Sequence, residues 1–183
     1  MTDNNKVQYL ALLRGVMPTG PNRIPKMSDL VQMLEQSGLD NVSSYIQSGN
    51  VICETSLPAE ELAQHMHQVI LESIGANLSI IVKEKSDLER AILGNPFSEE
   101  LDSSRIHLVF TNNYISTEQL AELQVMNFMD EIFAVGTACL YMYLPRDAKK
   151  KKLNNNFLEK KLGIVATTRK LSVIKELSNR MDE

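Results

Sequence analysis

The sequence has no tryptophan, 5% aromatic residues and two cysteines, Cys53 and Cys139. Two thiols so far apart in a chain of this size do not make a disulfide framework, and free cysteines are expected. No apolar run approaches the ~18–20 residues that cross a bilayer. The polar start, Met1 to Lys6, lacks the charged-then-apolar pattern of a secretory signal. A cytoplasmic protein without a membrane span is therefore expected. Metal-ligand spacing is missing too: His65 and His67 point about 200° apart around a helix, and neither cysteine has a partner at ligand spacing. His107 sits within an apolar strand, where a sheet-face histidine is the ordinary reading. No G-x-S-x-G, H-E-x-x-H or diagnostic carboxylate pair occurs, so the sequence assigns no catalytic residue, no metal and no cofactor, and leaves enzymatic activity undecided.

What is present is a globular composition: 183 residues, 43% hydrophobic and 23% charged, with nine methionines that suit core gaps. Charge is unevenly placed. Residues 1–140 carry 8 basic and 18 acidic side chains, whereas residues 141–183 carry 11 basic and 5 acidic ones, the densest stretch being Lys149 to Lys152. Such a C-terminal quarter either docks on the acidic remainder or meets an anionic partner, although a lysine run in a loop is ordinarily a solvated segment.

Periodicity supplies the elements. Val7–Leu13 reads as a strand, followed by a loop punctuated by Pro18, Gly20, Pro21 and Pro25. Met27, Leu30, Val31 and Leu34 fall at helical spacing, with Ser28 a candidate N-cap and Gly38 a stop. Val42–Gln47 and Val51–Thr55 predict a hairpin through Ser48-Gly49-Asn50. Pro58 opens a helix striped by Leu62, Met66, Val69, Ile70 and Ile74, and Leu78–Val82 closes a β-α-β-β-α-β series. After a connector helix over Ser86–Leu93 the series recurs: strand Arg105–Thr111, helix Ser116–Val125, strands Glu131–Val135 and Ala138–Leu144, and a helix from Asn154 to Leu162. The last strand is weak, Ile164-Val165-Ala166, before a final helix capped by Thr167 or Thr168. This predicts an α+β protein of tandem ferredoxin-like plaits with antiparallel sheets: a first subdomain over 1–84, a connector over 85–104, and a second over 105–183 with a C-terminal helix.

Polar residues at element ends are the candidate site. The loop after Gly15 has the position of a phosphate cradle but not its sequence, since Pro21 and Asn22 replace the lysine and hydroxyl that such loops need. Arg14 and Arg23 could fork a carboxylate or phosphate, or simply pair with Asp29, Glu35 or carbonyls. Gln47, Ser48 and Asn50 surround one turn, where they satisfy its backbone or read a polar ligand. Thr167-Thr168-Arg169, read as a helix N-terminus, is a generic anion site whose plain alternative is N-capping.

The blocks Tyr9-Leu-Ala-Leu-Leu-Arg-Gly15, Asn22-Arg-Ile-Pro25, Tyr45-Ile-Gln-Ser-Gly-Asn-Val51, Asn95-Pro-Phe97 and Leu162-Gly-Ile-Val-Ala-Thr-Thr-Arg169 resemble the bacterial family catalogued as domain of unknown function 1697, over essentially the whole chain. The resemblance implies two ferredoxin-like subdomains and no assigned activity. Its blocks coincide with Arg14, Arg23, Gln47, Ser48, Asn50, Lys161 and Arg169. The chain departs from the family's usual G-I-N-V-G-G loop at Gly15-Val-Met-Pro-Thr-Gly20, and has Lys170-Leu-Ser-Val173 where N-W-N-T-V is usual.

The leading expectation is a small anionic or polar ligand bound where loop 14–25, hairpin 47–50 and segment 161–169 converge, the site being Arg14, Arg23, Gln47, Ser48, Asn50, Lys161, Thr168 and Arg169. The first rival is an RNA- or DNA-contacting module using Lys149–Lys152 and the tyrosines Tyr141 and Tyr143, against which stand a pI near 5.5 and the missing aromatic consensus. The second is a protein-interaction module. A monomer or weak dimer is expected.

Overall fold

In the computed structural model, which describes residues 5–182, the apolar run near the start of the chain forms β1 (Val7–Arg14), where Leu10, Ala11 and Leu12 are all fully buried. Successive strand side chains point to opposite faces, so β1 is buried on both sides and belongs at a sheet centre. It lies between β3 (Asn50–Thr55) and β4 (Ser79–Glu84), antiparallel to both, with β2 (Asp40–Ser44) beyond β3. The order β2-β3-β1-β4, with α1 (Met27–Gln36) following β1 and α2 (Ala59–Ile74) following β3, is that of the ferredoxin-like plait.

The core of this plait lies between sheet and helices. Tyr9, Ala11 and Leu13 of β1 and Val51 and Cys53 of β3 meet Leu30 and Leu34 of α1 and Leu62, Met66 and Ile70 of α2. The helical residues recur every fourth position, one face of a 3.6-residue helix, and each fully buried Leu or Ile contributes about 1.5–3 kcal/mol over leaving it exposed. Gly75 ends α2 at φ 71° and Gly38 follows α1 at φ 102°, a left-handed conformation that costs glycine little. The Ser28 cap does not form: α1 begins a residue earlier, at Met27, because that side chain is buried in the core, and Lys26 at the cap makes no side-chain bond.

A second sheet repeats the order. After α3 (Lys85–Leu93) and a single turn at Ser103–Arg105 come β5 (Ile106–Thr111), α4 (Thr117–Gln124), β6 (Ile132–Val135), β7 (Leu140–Tyr143), α5 (Asn155–Leu162), β8 (Ala166–Lys170) and α6 (Leu171–Arg180), with strand order β6-β7-β5-β8. Val109, Leu140 and Met142 pack with Leu123 of α4 and Leu158 and Leu162 of α5 on one face. On the other face α6 packs on β5 and β8. Ser116 and Gln119 close a reciprocal capping box at the start of α4. The chain divides into two units, Met1–Lys85 and Ser86–Glu183, each holding one of the sheets.

The weak strand is misplaced in the sequence reading. Ile164 and Val165 are still in the connection after Gly163, and Ala166 to Lys170 pair along β5 from Thr111 to His107. Five consecutive pairings along β5 hold Thr167, Thr168 and Arg169 in an extended edge strand, and threonine suits a pleated ladder as well as it suits a cap. The final helix therefore starts at Leu171, after Lys170, which makes no side-chain cap bond.

Candidate functional site

The site is built at one end of β1. Gly15, at φ 100°, turns the chain out of the strand, and the loop beyond is strutted internally. Met17 N–H donates to Asn22 O at 3.0 Å and Arg23 N–H to Gly20 O at 3.2 Å, while the Asn22 side-chain oxygen accepts from Asn77 N–H at 2.9 Å. Pro18, Pro21 and Pro25 stiffen the same loop by fixing φ.

The connection between β2 and β3 closes over this loop. Asn50 is fully buried, and its side-chain amide donates to Tyr45 O at 3.0 Å and to Ser48 Oγ at 2.9 Å, holding the turn from inside. Leu13 N–H donates to Gly49 O at 2.9 Å. A Cβ on Gly49 would lie 2.8 Å from Leu13 Cβ and 3.2 Å from Val16 Cγ2, so only glycine permits the turn to seat against β1. Ile46, beside it, stands at φ 52°, a genuine outlier for a β-branched residue.

Between the two loops is a cavity of about 580 Å³, within the size range of small-molecule sites. Arg23, Gln47 and Ser48 supply its polar lining, and Val16, Met17, Pro18, Ile24 and Pro25 its apolar wall. Among the described residues no carboxylate lines it. Among the described residues the Arg23 guanidinium and the Gln47 amide make no hydrogen bond or ion pair, and both side chains are exposed. A smaller hollow of about 360 Å³ between α2 and β4 is lined by neither Lys nor Arg among the described residues, and His67 there donates from Nδ1 to Leu78 O at 2.6 Å.

Of the eight expected site residues, three line this cavity: Arg23, Gln47 and Ser48. Arg14 is half-buried at the end of β1, across from Ser79, and Asn50 is turned inward as the clamp of the turn. Lys161, Thr168 and Arg169 belong to the second unit. Lys161, at the end of α5, pairs with Glu122 at 3.9 Å, and the Thr168 hydroxyl donates to Asn155 Oδ1 at 2.8 Å. Arg169 donates to Thr167 Oγ1 at 2.6 Å and Thr168 O at 3.0 Å, and burial pushes its guanidinium down to about 10, still charged at neutral pH. The helix-terminus argument for an anion at 167–169 falls with the strand assignment, because these residues run extended along β5 and the helix with its free first-turn amides starts only at Leu171. The apolar wall, Met17 and Ile24 above all, was missed. Its signal was the proline-rich stretch, which marks a rigid loop.

The tyrosine pair of the nucleic-acid reading is also placed. Tyr141 is buried, its hydroxyl donates to Ala91 O at 2.6 Å, and its ring meets Phe97 edge-on at 6.4 Å. A base cannot stack on it. Tyr143 is half-buried with Phe97 at 6.0 Å. The lysine run is tied down by its backbone: Lys152 and Leu153 N–H donate to buried Glu131 at 2.6 and 2.9 Å, and Lys149 N–H to Asp130 at 3.0 Å. Lys152 Nζ stands over Phe128 and Phe157, at 5.8 and 5.5 Å from the ring centres. Both cysteines are buried and neither is in a disulfide, and among the described residues no cluster of three or more metal-ligating side chains occurs. Among the described residues no helix is long and apolar enough to cross a membrane.

Fold and site together define a tandem ferredoxin-like α+β protein with a loop-built cavity in its first plait. The profile of the family described as protein of unknown function (DUF1697) matches residues 7–141, and the chain belongs to that family. The block at 162–169 lies beyond the matched residues. A solved structure, that of the conserved bacterial protein SP0830 from Streptococcus pneumoniae, is similar over 97% of this chain and 99% of its own, with a TM-score of 0.72 at 20% identity. That likeness speaks for the fold alone. No curated protein matches the chain.

Proposed function

We propose that the protein binds a small anionic or polar organic molecule in the cavity between loop 15–25 and turn 45–49. One observation carries the reading: Arg23 and Gln47, both without a protein partner among the described residues, line the same roughly 580 Å³ hollow, which no carboxylate of those residues lines. With no acid partner among the described residues, the planar fork of this guanidinium is open to an incoming anion. The long loop has also been stiffened by proline, which lowers the entropy lost when a ligand orders it.

Thermal unfolding against a panel of acidic, phosphorylated and neutral polar metabolites tests this. Binding raises the midpoint for the native protein and not for Arg23→Ala or Gln47→Ala, whose own midpoints stay near the parent's. A panel that moves no midpoint, with no perturbation at Arg23 or Gln47 in amide NMR spectra, overturns the proposal.

A further inference from the structure

Resting on the reading of this cavity as a ligand site, we infer its ligand class: a monocarboxylate with an apolar body, rather than a phosphate ester or a sugar. Three features of the lining converge on that class.

The first is the charge. Among the described residues Arg23 is the one cation in the lining, and no acid opposes it there. A single planar guanidinium offers two parallel N–H donors, which match the two oxygens of a carboxylate and leave no charge over. A phosphate monoester carries nearly twice that charge and three acceptor oxygens.

The second is the backbone. Phosphate is ordinarily held by several main-chain N–H groups converging from a glycine-rich loop or a helix start. Here Pro18 and Pro25 have no N–H to offer, and the N–H groups of Met17 and Arg23 are already given to Asn22 and Gly20. Half of the eight lining residues are thereby removed as main-chain donors.

The third is the wall. Five of the eight lining residues are apolar. Met17 is 53% exposed, and Ile46, next to Gln47, is 49% exposed in a strained left-handed conformation. An apolar ligand body laid against Met17 and Pro18 would cover surface that the fold leaves in water, and methionine adapts readily to the shape it meets. Gln47, on the same lining, then donates to the carboxylate or accepts from a neutral substituent beside it.

Four probes separate the possibilities: 3-phenylpropionate and octanoate for the class, phenyl phosphate for a phosphate ester, and 3-phenylpropanol for the body without the charge. Each is titrated into isotope-labelled protein at neutral pH, and amide shifts are followed at Val16, Arg23, Ile24 and Gln47. Both carboxylates are expected to shift these amides saturably, and the alcohol and the phosphate to bind at least about tenfold more weakly, the worth of one charge-assisted bond. Arg23→Ala should weaken the carboxylates about tenfold or more. Arg23→Lys, which keeps the charge and loses the fork, should recover only part of that. Unchanged thermal midpoints in both variants show that they remain folded.

Phenyl phosphate binding as tightly as the carboxylates at these amides overturns the class while the cavity stands as a ligand site. So does binding of the alcohol at equal strength, or full recovery by Arg23→Lys. Carboxylate shifts that map away from these amides, or that persist in Arg23→Ala, overturn the class as well. If neither these probes nor the metabolite panel moves an amide of the cavity, the underlying reading falls with it.

Discussion

The two plaits share a strand order and differ in where they carry extra chain. In the first, β1 and α1 are joined by the twelve residues 15–26, whereas the corresponding connection in the second, 112–116 between β5 and α4, has five. The second plait has its long connection elsewhere, in the eleven residues 144–154 between β7 and α5, where the first has three, 56–58. Each long loop took a different chemistry. That of the first is braced by proline and encloses a hollow with an arginine that has no partner among the described residues, and that of the second is bound down by Glu131 and carries lysines into solvent. A duplicated frame therefore does not imply a duplicated site, since function resides in what the loops of each copy enclose.

The hairpin glycines give the sharpest way to break this comparison. Gly49 and Gly136 sit in the equivalent turns, β2 to β3 and β6 to β7, and both face close contacts. A Cβ on Gly49 collides with Leu13 at 2.8 Å and must also adopt φ 81°, while one on Gly136 meets the Tyr141 ring at 2.5 Å without the positive φ. Left-handed backbone costs an L residue about 1–2 kcal/mol and overpacking about 1–3 kcal/mol. Gly49→Ala should thus lose roughly 3 kcal/mol in chemical denaturation, and Gly136→Ala about 2 kcal/mol. Only the first should also abolish binding in the cavity. Equal losses, with binding intact in both, would mean that the turn of the first plait does not shape its hollow.

Glu131 is next in size. Its carboxylate accepts two main-chain N–H groups at the end of the lysine run and is nearly without solvent contact. Glu131→Ala leaves those donors unpaired, one of them beside buried Leu153, at a cost of about 2 kcal/mol. Susceptibility of the 149–152 stretch to trypsin should rise steeply as the strap comes loose. A variant that resists trypsin as well as the parent would show that the loop is held by something other than this carboxylate.

How much of this was legible beforehand depends on how locally each feature is determined. The order of elements was readable because buried stripes such as Leu62, Met66 and Ile70 impose a period on the sequence itself. β8 was misread because Thr167 and Thr168 serve a cap or a ladder equally well, and the choice was made by β5, about sixty positions earlier in the chain. Three of the eight expected site residues share the cavity of the first plait. Arg23, Gln47 and Ser48 meet because Asn50 and Gly49 fold one turn back onto β1, while the inward turn of Asn50 itself is set by Tyr45 and Ser48. Residue type and position could nominate Asn50 as polar and near the loop, but not say which way its amide faces. Nor could composition warn that Tyr141 is sealed against Ala91 and Phe97, because that face of the second sheet is covered by tertiary packing.

A smaller effect distinguishes the cores. Burial, with the neighbouring charge of Glu54, pushes the Cys53 thiol from its ordinary value up to about 12. In the unfolded chain the thiol ionises near pH 8.5, so between there and pH 12 the unfolded state holds fewer protons than the folded one, and stability falls as pH rises. Below that window both states are protonated and the contribution is fully present. The downward shift of Arg169 acts in the opposite direction above pH 10, so the parent curve alone mixes the two. The difference between the parent and Cys53→Ala isolates the thiol: it should be flat from pH 6 to 8 and change by about 1 kcal/mol by pH 9.5. A difference that stays flat to pH 10 would mean that Cys53 is open to water.

The smallest expected effect lies within the lysine run and tests whether the second plait's long loop is packed or merely charged. Lys149, Lys150 and Lys151 are exposed, and only Lys152 lies over aromatic rings, those of Phe128 and Phe157, which themselves meet edge-on at 5.8 Å. An ammonium over a ring at an exposed site is worth about 0.5–1 kcal/mol, and crowding of like charges in so short a stretch opposes part of it. Lys152→Met keeps the apolar stem against the rings and removes the charge, and should cost about 0.5 kcal/mol at low salt, less in strong salt. Lys150→Met, by contrast, should be neutral or slightly stabilising, since it relieves repulsion and loses no ring contact. The discriminating quantity is the difference between these two variants under identical conditions. If they behave alike, position 152 has no privileged contact, and the loop's order rests on the main-chain bonds to Glu131 and Asp130 alone.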